Sequence, residues 1–95
     1  MHFALVAYDK PNAPNRRLDV RPEHLKYLES LGDKLLLAGP FLDENGGMVG
    51  SIVIIEADDL AEAEATFRAD PFYQEGVFDS ITIKPYRISI NNTKK

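Results

Sequence analysis

Residues Val49 to Ala57 limit what this chain can become. Val49, Val53 and Ile55 fall on one parity and Ile52 and Ile54 on the other. Successive strand side chains point to opposite faces. A strand of this composition therefore keeps both faces away from water. Phe3 to Tyr8 repeats the pattern, with Phe3 and Leu5 set against Val6 and Tyr8. Helices can cover one face of such a sheet. The other needs a second cover, and another copy of the chain packed sheet to sheet at a spacing of about 10 Å would supply it. The alternative cover is the tail from Ser89 to Lys95, which is short and polar.

The remaining elements follow in order. Phe3 to Tyr8 reads as the first strand. Asp9 to Asn15, with two prolines and two asparagines, reads as a loop. A helix is predicted after it, with Asp19 as N-cap, Pro22 in the first turn and Gly32 at the end. Leu35 to Leu42 is the second strand, and Gly39-Pro40 within it implies an edge or a bulge. Asp43 to Gly47 is a hairpin turn, followed by the strand Val49 to Ala57. Asp58-Asp59 opens a second helix, with Asp59 and Glu62 resembling a capping box, Leu60, Ala63 and Phe67 on its inner side and Glu64 at the margin of that side. Pro71 stops that helix near Asp70, and a short helical turn follows over residues 71–76. A fourth strand starts at Phe78 or Ser80 and runs to Ile88. The order β-α-β-β-α-β is that of an α+β, ferredoxin-like sandwich with a four-stranded antiparallel sheet.

The chain has 95 residues, so a single domain over 1–95 is expected, with about 89–95 as a flexible tail and Lys94-Lys95 solvated. A domain this small buries only about two thirds of its unfolded surface, so a dimer interface would add to a modest core. There is no cysteine, which removes disulfide frameworks and thiolate zinc sites and points to the cytoplasm. The net charge is −4 and no basic patch is present, against a nucleic-acid partner. Met1-His2-Phe3-Ala4 carries no basic region or long apolar run, so neither a signal peptide nor a membrane span is predicted. No glycine-rich phosphate loop, Ser-x-x-Lys or Gly-x-Ser-x-Gly element occurs.

The chemistry centres on His24. A helix turns about 100° per residue, and on that wheel Leu25, Leu28, Tyr27 and Leu31 form an apolar arc that includes His24. An unsatisfied buried polar group costs about 1–3 kcal/mol, so a buried imidazole needs a partner. Histidine is intermediate in burial preference, and a satisfied structural residue is the ordinary alternative. Asp70 is the candidate partner, because the two helices of this fold lie side by side. An aspartate on one ring nitrogen fixes the tautomer and leaves the other free to exchange a proton. Imidazole titrates near pH 6.5 when unperturbed, which suits acid–base work at neutral pH. Aspartate before proline is also an ordinary N-cap. Arg17 and Arg21 could bind an anion by paired hydrogen bonds, or pair weakly with Asp19 or Glu23 at the surface. Ser51 could point into a pocket or simply ease packing. Asp9 reads as a turn residue. One internal histidine with scattered carboxylates is not a metal-ligand set.

Arg17-x-x-x-Arg21-x-x-His24-Leu25, Gly39-Pro40, Gly50-Ser51, Asp70-Pro71-Phe72 with Gly76 after it, and Lys84-Pro85-Tyr86 occur in that order up to Tyr86. In these features the chain resembles the YCII-related family of YciI-like proteins. The resemblance implies a ferredoxin-like domain of the dimeric α/β-barrel superfamily. It also implies an active site built on a His–Asp pair, carried here by His24 and Asp70. A relative resembling this family is a dehydrochlorinase acting on a chlorinated hydroxyquinol, and muconolactone isomerase belongs to the wider superfamily. Fold alone does not fix function.

These readings combine into an expected homodimeric cytoplasmic enzyme acting on a small oxygenated organic substrate. His24 would be the general base or acid and Asp70 would orient it. Arg17 or Arg21 would hold an anionic or enolate oxygen, and Ser51 would line the pocket. The class would be lyase or isomerase chemistry, without metal or organic cofactor and with no nucleic-acid or membrane partner. The alternative is a non-catalytic small-molecule-binding or accessory domain in which His24–Asp70 is a structural contact. Cofactor-free monooxygenase-like chemistry is a third reading. Solvent access separates the first two, since a catalytic pair must open onto a cleft.

Overall fold

The computed structural model describes residues 1–11 and 14–93. Strand β1 (His2–Asp9) leads to helix α1 (Pro14–Ser30), a 3-10 turn (Gly32–Lys34) and strand β2 (Leu35–Leu42). Strand β3 (Met48–Glu56), helix α2 (Leu60–Arg68), the short helix α3 (Pro71–Gln74) and strand β4 (Phe78–Tyr86) complete the order. The strands form one antiparallel sheet in the order β2-β3-β1-β4. This is the α+β, ferredoxin-like arrangement read from the sequence.

Strand parity decides where the core lies. Phe3, Leu5 and Ala7 of β1 and Val53 and Ile55 of β3 share a face and are buried. They join Val20 and Leu28 of α1 and Ala63 and Phe67 of α2 in one cluster. Fully burying an aliphatic or phenylalanine side chain stabilises by about 1.5–3 kcal/mol, so this layer carries most of the fold. On the opposite face Val6 pairs with Ile52, and both are half-buried. There the Tyr8 ring stacks on Phe41 at 5.5 Å, and Tyr8 is still 53% exposed. Ile88, Asn91 and Thr93 line a cavity with Gly32, Asp33 and residues 35–37. The tail thus reaches the β2 edge and leaves Tyr8 open.

Several local expectations are met. Gly39-Pro40 lies on the edge strand β2, which has register shifts near both ends. The side chain of Asp59 caps α2 by accepting from the Glu62 amide at 2.8 Å. The expected tail lysines Lys94-Lys95 and part of the expected loop, residues 12 and 13, lie outside the described residues.

The start of α1 differs. The helix begins at Pro14, so Asp19 lies inside it rather than at its N-cap, and Pro22 falls in its interior. The added first turn is held from outside: Arg16 Nη2 donates to Glu75 Oε1 at 2.7 Å and Arg17 reaches Asp9. Pro22 leaves the Leu18 carbonyl without its helical donor. Both residues are exposed, so water can take that carbonyl. Leu60, expected to face inward, is 42% exposed because α2 turns Ala63 and Phe67 to the sheet instead.

Candidate active site

Helix α1 presents His24 and the start of α3 presents Asp70 opposite it. His24 Nδ1 lies 2.8 Å from Asp70 Oδ1 and 2.9 Å from Oδ2. A carboxylate only accepts, so Nδ1 donates to Asp70 and Nε2 is the ring nitrogen that the carboxylate does not engage. Asp70 is also the N-cap of α3, and its Oδ1 accepts from the Phe72 amide at 2.9 Å. The imidazole lies flat on the Phe72 ring, with centroids 3.7 Å apart and planes 9° apart. Carboxylate and phenyl ring together hold the imidazole in one orientation. Both His24 and Asp70 are buried. One turn further along α1, Tyr27 donates to the Thr66 carbonyl at 2.6 Å. Burial, and then the negative charge of Asp70, raise the Tyr27 pKa above the usual tyrosine value.

Arg17 forms a second buried cluster. Its Nε donates to Asp9 Oδ2 at 2.6 Å and its Nη2 to Asp9 Oδ1 at 3.0 Å. Nη2 also reaches the Gly50 carbonyl and Ser51 Oγ, each at 2.7 Å. The guanidinium carbon sits 4.6 Å from the Phe72 centroid, within cation–π range. The surface pairing of Arg17 with Asp19 or Glu23 considered from sequence does not occur. Its partner is Asp9, which continues the inward parity of Phe3, Leu5 and Ala7 past a register shift at Tyr8/Asp9. Gly50 permits the close approach of β1 and β2 around it. A Cβ there would lie 2.5 Å from the Ala7 carbonyl oxygen and 3.1 Å from Phe41 Cδ2.

Arg17, Arg21, His24 and Ser51 line one cavity of about 140 Å³ together with Pro40 and Phe72. Asp70 stands behind His24 rather than on the cavity wall. Arg21 is exposed at this cavity and has no ion pair among the described residues. Cavities of about 150 Å³ accept a benzene-sized ring, so the space suits one six-membered ring. Among the described residues no sealed side-chain nitrogen or oxygen lacks a hydrogen-bond partner. His24 Nε2 has no such partner, so it is not sealed. The same residues contain no cluster of three His, Cys, Asp or Glu side chains spaced for a metal.

Sequence reading singled out five side chains, and four of them share the cavity while Asp70 supports one. It missed Asp9 and Phe72. Strand parity could have found Asp9, since every second residue from Phe3 points inward. Phe72 had no comparable signal, because its contact with both the His24 ring and the Arg17 guanidinium depends on how α1 and α3 pack.

The YCII-related domain profile matches residues 1–87. The protein YciI of Escherichia coli O6:H1 is 39% identical over 95 residues, covering 92% of this chain and 97% of its own. An uncharacterized protein of Haemophilus influenzae is 36% identical over the same coverage. Among solved structures, 5-chloro-2-hydroxyhydroquinone dehydrochlorinase (TftG) of Burkholderia phenoliruptrix AC1100, in complex with 2,5-dihydroxybenzoquinone, superposes with a TM-score of 0.84. It is 30% identical, and the match covers 92% of this chain and 94% of that one. Rv0793 of Mycobacterium tuberculosis shares the fold at a TM-score of 0.57 and 14% identity, covering 95% of this chain and 100% of that one. On the profile match and these identities, the chain belongs to the YCII-related family.

Proposed function

We propose that this protein is a small cytoplasmic enzyme performing general acid–base chemistry on a compact oxygenated ring compound. His24 is the base and Asp70 orients it, while Arg17, Arg21 and Ser51 bind the substrate. The reaction is an elimination or isomerisation begun by proton transfer to Nε2. One observation carries the reading: Asp70 holds Nδ1, while Nε2, unpartnered among the described residues, belongs to a side chain lining a ring-sized cavity. A buried carboxylate behind the ring also stabilises the imidazolium formed when Nε2 takes a proton. The likeness to TftG, named for its action on a chlorinated hydroxyhydroquinone, supports a polyhydroxylated ring as substrate. The cytoplasmic location is carried over from the cysteine-free sequence.

The enzyme is further proposed to act as a homodimer. The partly exposed outer sheet face, with Tyr8, Phe41 and Leu37, supports pairing through that face.

The test is turnover of 5-chloro-2-hydroxyhydroquinone and related ring compounds, followed by chloride release and absorbance. General base catalysis contributes about 10²–10⁴-fold, so His24→Ala should lower the rate by at least about 100-fold. A His24→Ala protein with full activity would remove His24 from the mechanism. Tight binding of such rings with no turnover of any would support the binding-domain alternative instead.

A further inference from the structure

The cavity beside His24 changes character along α1. Arg17, Arg21, His24, Leu25 and Leu28 all line it, and they follow in that order along the helix. Its wall therefore passes from cationic, through the imidazole, to aliphatic. Leu28 lies one turn beyond His24, about 6 Å along the axis. The facing strands repeat the change. Ser51 of β3 is bonded to Arg17 and pairs with Pro40 of β2, while Ala38 pairs with Val53, two residues away from that contact. Directly opposed residues of paired strands share a face, so Ala38 and Pro40 lie on the core side of the sheet. Ser51 and Val53 are buried, yet Ala38 and Pro40 are exposed. The helices thus leave the inner face of β2 uncovered, and there both residues line the cavity. Leu28 is 7% exposed and Leu25 44%, so the aliphatic end has a closed floor and an open rim. One exposed leucine is ordinary on a protein surface. Leu25 differs because it shares its cavity with the imidazole.

We propose that Leu25, Leu28 and Ala38 form an apolar subsite that selects the substituent of the substrate ring. The class it takes is phenolic rings with oxygen on one edge, toward Arg17 and Ser51, and an alkyl or halogen group across the ring. This rests on the cavity being the substrate site proposed above, and it narrows that reading. The space suits one six-membered ring, so the substituent extends over the rim between Leu25 and Ala38. Each CH₂ covered there is worth about fourfold in affinity. A hydroxyl or carboxylate in the same place would give up water without a hydrogen-bond partner from these side chains. Ring oxygens are therefore disfavoured at this end and alkyl or halogen groups favoured. Leu25, Leu28 and Ala38 neither give nor take a proton. They set which ring is held against His24 and which way round it lies.

The probes are phenol, 4-ethylphenol and hydroquinone, with dissociation constants taken from NMR titration of the ¹⁵N-labelled protein. Two wholly covered carbons would be worth about 15-fold. At an open rim 4-ethylphenol should bind at least about fourfold more tightly than phenol, and hydroquinone no more tightly than phenol. Leu25→Gln keeps a strong helix former and places an amide at the rim, so it should cut the ethyl preference below about twofold. Ala38→Gln should cut it from the facing strand, and it decides the matter if Leu25→Gln does not fold. No binding at millimolar phenol, no ethyl preference, or a preference that survives both variants overturns the proposal. A Leu25→Gln protein that sediments as a smaller species with the ethyl preference intact assigns the rim to a second copy of the chain instead. His24-dependent turnover without an ethyl preference rejects the subsite alone. An ethyl preference in a protein whose His24→Ala variant keeps full activity rejects the acid–base reading alone.

Discussion

Replacing Asp9 by alanine strands the guanidinium of Arg17 inside the protein. The pair is buried on both sides, with side-chain exposures of 3% and 6%. Removing one partner of a buried ion pair costs about 3–5 kcal/mol, because the other charge remains uncompensated. Arg17 would keep the Gly50 carbonyl and Ser51 Oγ, each at 2.7 Å, and its contact with Phe72. Those contacts favour the lower end, about 3 kcal/mol. Total stability for a domain is about 5–15 kcal/mol, so the variant should fold with a much reduced margin. At about 4–8 °C per kcal/mol for a domain of this size, the melting midpoint should fall by roughly 12–24 °C. Urea unfolding followed by circular dichroism gives the free energy directly, and the Arg17→Met and Asp9→Ala/Arg17→Met variants complete the cycle. Replacing both charges by apolar groups is often close to neutral, so the double variant should recover much of the loss. A cost below about 1 kcal/mol, the range of exposed pairs, would refute the reasoning. So would a double variant no more stable than Asp9→Ala.

Gly50→Ala brings a methyl group to 2.5 Å from a backbone oxygen. It should cost about 1–3 kcal/mol in urea unfolding, with Ser51→Ala as the milder control. Tyr27 keeps its proton in the folded state to higher pH than in the unfolded chain. Its stabilising share is complete below the unfolded value of about 10 and declines as pH rises through the raised folded value. Tyr27→Phe should therefore lose about 1 kcal/mol at neutral pH with its hydrogen bond and show a shallower decline in alkaline unfolding curves. An unaltered alkaline slope would argue against that linkage. Leu37→Lys on the outer sheet face should shift sedimentation from dimer to monomer at micromolar concentration without unfolding the domain. A wild-type protein that is already monomeric there would end the sheet-to-sheet model.

The order of strands and helices was legible because each strand has a distinct apolar parity and each turn its own residues. Asp59, Asp70 and Gly39-Pro40 all act locally, and their effects were readable in place. The start of α1 was not. Asn15, Arg16 and Arg17 show no apolar periodicity, and their turn is helical because Glu75 and Asp9 hold it from other elements. Asp19 looked like a cap only while those partners were out of sight. For the site, the odd placement of His24 on an apolar arc was the useful signal, and Asp70 followed from the topology. The pairing of Arg17 with Asp9 needed the sheet register, and the role of Phe72 beneath the imidazole and the guanidinium needed the packing of α3 on α1.

Asp70 has two duties, one to the Phe72 amide and one to the imidazole. The first serves the backbone of α3 whatever the cavity does. An aspartate at this position is thus no sign by itself of the proton transfer proposed above. His24 has no comparable obligation to the main chain. For the acid–base chemistry proposed above, His24 is therefore the more telling of the two positions, because the capping of α3 already accounts for the aspartate.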